Sequence, residues 1–388
     1  MLLNKRLSGK ELFLILFFIA LSFFYAYFFV IYPYKAQRLY FKINQIYVKN
    51  HINCSSDAPQ WMREFVDLNI EKNKTLGNQL VYISPIRGAF LCTSPSGIGN
   101  KISKNTFFRY ASNTKPITNA YILMLINEGK IKKSTTLAEV FPELKSGKLT
   151  DTRILNITIG NLLQHSSGFD RMISKDIMFE EDKKPWCPYD ISKLKELKLD
   201  FTPGEYSAYD NRNSCLLGAV IEKIEKKKYR EVINKNFDLD QLNIEFIDGP
   251  YLSNEAKYDF TYNEFRFDTY YKHLDFNALS SSAGMVGSAE SLAKLLQKIL
   301  NNEKYLGFIN LSRKDYSCEK DGIECFNDTM KFKVEGDKAV QYKYGNLPSA
   351  TSFSLIDKHG AIVVWMGAGE RLDYTFKFED YFINQKQL

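Results

Sequence analysis

Three kinds of hydrophobic pattern divide this chain. The first is an unbroken run, Leu12 to Tyr32, without a charge. As a helix rising about 1.5 Å per residue it crosses a hydrocarbon core of roughly 30 Å. A cleaved signal peptide would show a shorter apolar core, about 7–15 residues, and a small-residue cleavage site. Here the run ends in Phe29, Val30, Ile31, Tyr32 and Pro33, which suits an uncleaved anchor. The second pattern has helical spacing. It places apolar residues at Trp61, Phe65, Val66 and Ile70, and again at Ile117, Tyr121, Met124 and Leu125, with Gly129 as a stop. The third is strand-like. "QLVYISPIRGAFLCTSP" reads as two strands around Pro85–Gly88, and the C-terminal part alternates between turns at Gly336, Gly345, Pro348 and Gly360.

Between these parts, residues 131–260 read as helix and loop. "ITIGNLLQHSSGF" predicts a helix ending in a Ser-Ser-Gly turn. A second helix starts near Arg212, a third near Ser288 as N-cap, and a last one lies within Tyr374–Asn384. Strands at both ends with helices between predict an α+β fold, whose antiparallel sheet joins the N- and C-terminal parts beside a mostly helical subdomain. The expected division is a head at 1–11, a membrane helix at 12–33, a polar-aromatic stalk at 34–57 and a folded body at 58–388. Lys5, Arg6 and Lys10 before the anchor balance Lys35, Arg38 and Lys42 after it. The short head and long body then favour a single-pass protein of the inner or plasma membrane with its body outside the cytoplasm.

Charge changes this picture little. A formal +7 with no Lys/Arg block longer than Lys226–Lys228 leaves no nucleic-acid footprint. The cysteines (Cys54, Cys92, Cys187, Cys215, Cys318, Cys325) form no C-x-x-C pair and the histidines are scattered, so no metal site is expected. Asp321-Gly322 is a turn signal between Cys318 and Cys325, which predicts a disulfide there. The other four cysteines allow three pairings, or are buried thiols. An oxidising compartment fits.

Candidate chemistry begins at "FFRYASNTKPITNAYILMLINEGK". Ser112 and Lys115 stand one helical turn apart, and Pro116, tolerated only in a first turn, fixes the helix start close to the serine. Ser-x-x-Lys recurs at Ser192/Lys195, Ser291/Lys294 and Ser317/Lys320, so the spacing alone is weak. A serine hydroxyl needs a base, and a lysine serves if burial or a second cation destabilises its ammonium.

The order of motifs carries more. Ser112-Asn113-Thr114-Lys115 is followed by Tyr209-Asp210-Asn211 and then Lys343-Tyr344-Gly345. With the flanks "ITIGNLLQHSSGF", "FTPGEYSAYDNRNSCLLG" and "SSAGMVGSAESLAKLL", the chain resembles the serine β-lactamase-related, penicillin-binding-protein-like family of the class C type, over about Asn78 to Trp365. The resemblance implies a β-lactamase/transpeptidase-like fold and an acyl-enzyme mechanism without metal or cofactor. Ser112 would be the nucleophile, Lys115 and Tyr209 would handle protons with Tyr209 as base, and Lys343 would attract a substrate carboxylate. Asn211 would bind the substrate amide or Lys115. The backbone N–H groups of Ser112 and Asn346 would form the oxyanion hole beside Tyr344 and Gly345. The implied substrate is a small molecule or a peptidoglycan- or envelope-derived ester or amide, such as one of a D-amino acid. A D-Ala-D-Ala carboxypeptidase, a weak β-lactamase, and a non-hydrolytic sensor or scaffold are the alternatives. Lys145-Ser146-Gly147 matches the third motif literally but precedes the tyrosine element. Tyr344 departs from the usual Thr or Ser, and pointing inward it would narrow the cleft. His165 is expected to hold its loop, and the Tyr-rich 258–276 to pack more than to form a lid.

Overall fold

A computed structural model describes residues 8–263, 268–311 and 326–385. Its main sheet has seven strands: β1 (Asn53–Cys54), β2 (Gly77–Ser84), β3 (Gly88–Ser94), β7 (Lys331–Glu335), β8 (Lys338–Leu347), β9 (Ala350–Asp357) and β10 (Ile362–Ala368), in the order β1-β3-β2-β10-β9-β8-β7. All its pairings are antiparallel, and β10–β2 joins the two chain ends. A small sheet holds β4 (Phe108–Arg109), β5 (Ile244–Phe246) and β6 (Met285–Gly287). The helices are α1 (Gly9–Tyr25), α2 (Pro33–Asn50), α3 (Gln60–Lys72), α4 (Lys115–Asn127), α5 (Leu137–Val140), α6 (Ile159–Leu163), α7 (Asn211–Glu225), α8 (Tyr229–Phe237), α9 (Ala289–Leu300) and α10 (Phe378–Ile383).

The central strands are buried on both faces, and their side chains alternate between two cores as pleating requires. Val81, Ile83, Val364 and Met366 join the larger core with α4, α7 and α9. Leu80, Tyr82, Val363 and Trp365 join the smaller one with α3 and α10, around Phe65, Phe378 and Phe382. The sheet is thus sandwiched between two helical layers, with the mostly helical segment 131–260 beyond the first.

The apolar helix runs from Gly9 through a π-helical turn to Ile31, capped by Ser8 and Glu11, with nearly all of its described side chains exposed. By length and composition it can cross a membrane. Most of the expected stalk is helical. Residues 33–50 form α2, which lays Phe41, Asn44 and Val48 on the body. Gln45 Nε2 donates to Ile70 O (2.8 Å) and Ile98 N donates to Asn44 Oδ1 (2.8 Å). The i, i+3, i+7 spacing of that narrow stripe is masked by the lysines, glutamines and tyrosines around it.

Two disulfides form, Cys54–Cys92 across β1–β3 and Cys187–Cys215. The expected Cys318–Cys325 pair lies outside the described residues. The Tyr-rich segment packs around Arg109, which is fully buried against Glu255 (2.7 Å). The Arg109 amide donates to Tyr258 Oη (2.9 Å), its guanidinium to Tyr270 Oη (3.2 Å), and Tyr251 stacks 4.4 Å away.

Candidate active site

The turn that carries Ser112 is held by two sheets. Ala111 sits at φ 49°, a left-handed conformation uncommon for a residue with a Cβ. On the sheet's helical face, Ser352 Oγ of β9 donates to Tyr110 O (2.6 Å), and Ser354 Oγ donates to Asn113 Oδ1 (2.5 Å). Asn113 Nδ2 closes the triangle on Ser352 Oγ (2.7 Å). From the small sheet, Met285 accepts from Tyr110 N (2.8 Å) and donates to Thr114 Oγ1 (3.2 Å). A strained turn persists where its surroundings over-determine it. Ser112 is therefore no N-cap. It lies in a 3₁₀ turn, Ala111–Thr114, that runs directly into α4, which opens with Lys115-Pro116.

Lys115 is 1% exposed. Its Nζ reaches Ser112 Oγ (3.1 Å), Asn211 Oδ1 (2.7 Å) and Ser282 O (2.9 Å). Two of these partners only accept. A neutral amine has two hydrogens, which suit Asn211 and Ser282, and its lone pair then faces the serine hydroxyl. Burial pushes Lys115 down to about 7, with Asp176 opposing and Arg171 assisting. The orientation of Asn211 is fixed from behind, because its Nδ2 donates to Asp176 Oδ2 (2.6 Å). The N-cap of α7 is Asp210, which accepts from Arg212 N (2.8 Å), so Asn211 is free of that task.

Tyr209 Oη donates to Ser112 Oγ (2.7 Å). Burial raises its phenol, which keeps the proton on oxygen. At rest it is a hydrogen-bond donor to the serine oxygen. His165 lies against the Tyr209 ring (4.7 Å) and stays neutral by burial. Its Nδ1 pairs with the Asp210 amide (3.3 Å) and Asn213 Nδ2 (3.2 Å).

Strand β8 brings the third motif. Lys343, 4% exposed, places Nζ 4.2 Å above the Tyr209 ring centre. Gly345 lies inside the strand, not at the expected turn. A Cβ there would meet Tyr110 O at 2.5 Å and Ser112 N at 3.0 Å, so only glycine lets β8 approach the serine backbone. The two-residue turn Pro348-Ser349 pairs Leu347 with Ala350, which leaves Asn346↔Thr351 a non-hydrogen-bonded pair. The Asn346 amide therefore points away from β9, to the edge that β7, paired only with Lys338–Tyr342, leaves open. Tyr344 does not block the cleft. Its Oη donates to Glu379 Oε2 (2.5 Å) and its ring packs on Phe353 and Phe378, so it lines the cavity wall while its hydroxyl is held in the opposite layer. Lys145 of the decoy triplet ends a 3₁₀ turn outside this cavity.

The cleft over Ser112 has a volume of about 500 Å³ and is lined by Arg171, Asp176, Lys331, Lys343 and Arg371 besides the motif residues. Arg171 and Asp176 sit in an irregular segment without periodicity, so nothing in the sequence flagged them. Ser352 and Ser354 were visible only as two polar positions on one face of an apolar strand. Among the described residues no group of His, Cys, Asp or Glu could hold a metal.

The beta-lactamase family model matches residues 93–316, more than half of the chain. The chain belongs to the beta-lactamase family. Within reach of it are two proteins of Dichelobacter nodosus, named putative and probable fimbrial assembly protein FimD. They are 30% and 34% identical, and each match covers 92% of this chain and 93% of the relative. The family fold recurs in the D-amino acid amidase of Ochrobactrum anthropi SV3, with TM-score 0.57 and 18% identity over 80% of this chain and 93% of that one. It recurs also in a penicillin-binding protein of Bacillus halodurans, with TM-score 0.58 and 22% identity over 78% and 93%.

Proposed function

We propose that this protein is a membrane-anchored, outward-facing serine hydrolase that works through an acyl-enzyme. The observation that carries the reading is the contact set of Ser112 Oγ, with a buried Lys115 amine near neutrality at 3.1 Å and a protonated Tyr209 hydroxyl at 2.7 Å. Lys115 takes the serine proton as Oγ bonds to the substrate carbonyl carbon. The oxyanion settles on the outward amides of Ser112 and Asn346. The leaving group departs with a proton delivered through Tyr209, and Lys115 replenishes that proton. Water then attacks the ester, with Lys115 again as base, and Ser112 is released. A scaffold has no use for a buried lysine brought near neutrality against a serine, which favours an enzyme. The substrate is an ester or amide of the cell envelope, in the chemical neighbourhood of D-amino acid derivatives.

The FimD relatives favour a second statement, that the chemistry serves fimbrial assembly. Incubating the full-length protein with a fluorescent fluorophosphonate tests the first reading. Wild type should label and Ser112→Ala should not. Equal labelling of the two overturns the assignment. Expressing Ser112→Ala in place of the wild-type gene tests the second, since normal surface fimbriae in that strain would remove any need for the chemistry.

A further inference from the structure

Helix α2, which follows the membrane helix, carries two apolar faces. Phe41, Asn44 and Val48 are buried on the body. Leu39, Ile43 and Ile46 are 45%, 50% and 67% exposed. At about 100° per residue these three fall within about 60° of one another, on the side of the helix opposite the docked stripe. A surface helix needs one apolar face to hold its own body. A second one calls for a second partner.

The spacing describes that partner. Ala36, Leu39, Ile43, Ile46 and Asn50 alternate in steps of three and four residues, as the a and d positions of a coiled coil do. In this register Phe41 and Val48 both fall at f, the position farthest from the seam, so the body stays clear of a second helix. Lys35, Lys42 and Lys49 fall at g, and Tyr40 and Tyr47 at e. In a parallel pair each g faces e of the following heptad across the seam. That sets Lys42 against Tyr47 of the second copy and the Lys35 stem against Tyr40. An antiparallel pair would set lysine against lysine. Asn50 is a lone polar residue at an a position, which favours two strands in register.

A lipid surface fits this face less well. An interfacial helix extends its cations to the headgroups. Here Lys35 lies over the rings of Tyr27 (4.6 Å) and Tyr32 (4.4 Å), and Arg38 over Tyr262 (5.6 Å). Lys49 is paired with Asp67 and Glu71, both at 3.2 Å. These cations are drawn into the protein, and two carboxylates flank the helix.

Resting on the membrane-anchor reading, we propose that two copies of this protein pair through α2 as a parallel, in-register, two-stranded coiled coil beside the membrane. Leu39, Ile43 and Ile46 form its seam. So short a seam is too weak to hold free chains together. Two anchors in one membrane force the parallel orientation and supply the effective concentration.

The test uses full-length protein with p-benzoylphenylalanine placed at Leu39, Ile43 or Ile46, reconstituted in phosphatidylcholine vesicles and irradiated. Each position should give a cross-linked dimer at roughly ten times the yield from the same probe at Gln37, which is exposed but off the seam. Ile43 faces Ile43 of the second copy in this register. With the probe at Ile46, Ile43→Glu and Ile43→Lys should each lower the dimer yield roughly tenfold, and mixing the two variants should restore most of it. A misfolded variant gains nothing from mixing. Lipid adducts in place of dimers, equal yields from Ile43 and Gln37, or no recovery on mixing overturns the proposal and leaves the anchor standing. Chains that fail to float with the vesicles overturn the anchor reading, and the proposal with it.

Discussion

Lys115 offers the sharpest test of how this site works. At neutral pH an ordinary lysine, with its usual value of 10.5, is deprotonated in only about 3 × 10⁻⁴ of molecules. Burial brings Lys115 to about 7, so about half of the molecules carry the free amine, a gain on the order of 10³ in competent base. The base acts only when neutral. Reactivity should therefore be low below the midpoint, lose about tenfold per pH unit on the acid side, and level off above it. The readout is the second-order rate of Ser112 labelling by a neutral fluorophosphonate between about pH 5 and 9, where the probe itself does not titrate. Lys115→Met should lower the plateau by roughly 10²–10⁴.

Two neighbours turn this into a prediction of sign. Asp176 raises Lys115 and Arg171 lowers it. Asp176→Asn should move the acid limb to lower pH, and Arg171→Gln should move it higher. Asn at 176 keeps an acceptor for Asn211, so the geometry survives. Folding stability carries the same signature. Between about 7 and 10.5 the unfolded chain binds a proton at Lys115 that the native state does not, so this residue makes stability rise with pH across that window. The rise should vanish in Lys115→Met. A labelling rate that is flat from pH 5 to 9, or limbs that move the same way in both variants, would refute Lys115 as the base.

Other expectations follow from packing. Gly345→Ala forces β8 off the Tyr110–Ser112 backbone, and labelling of Ser112 should fall by roughly 10²-fold, the cost of a misplacement near 1 Å. Arg109→Met leaves Glu255 charged and unpaired in the interior, which should cost about 3–5 kcal/mol in urea unfolding of the solubilised protein. Ser354→Ala strips a partner from buried Asn113 Oδ1 and should cost about 1–3 kcal/mol by the same assay.

Much of the site was legible because its chemistry is tied to order along the chain. Ser112 and Lys115 look like any of several Ser-x-x-Lys pairs, but Pro116 fixes a helix start beside this serine, and Tyr209 and then Lys343 follow in order. The sheet was legible for a similar reason, since β2 and β10 are strongly apolar and flanked by turn residues. Short-range signals failed where tertiary contacts decided. Gly345 reads as a turn, yet its lack of a Cβ serves a close approach across the sheet. Residues 34–50 look like a polar stalk, yet Phe41, Asn44 and Val48 make a narrow buried stripe that docks them. The helix around Ile157 shrinks to α6, five residues, because Thr158 caps it and the chain then turns at His165 (φ 55°) to reach Tyr209.

Tyr344 shows most clearly why a motif match is incomplete without the far side of the strand. Successive residues of β8 face opposite layers, so Lys343 meets Tyr209 while Tyr344 meets the aromatic core of α3 and α10. A small hydroxyl at this position could lean to the cleft. A tyrosine cannot, because its ring has a buried niche against Phe353 and Phe378 and a carboxylate partner in Glu379. What the strand loses in hydroxyl donors it regains through the ring itself, which supports the Arg371 guanidinium at the cleft wall. The substitution thus exchanges a neutral donor for a cation.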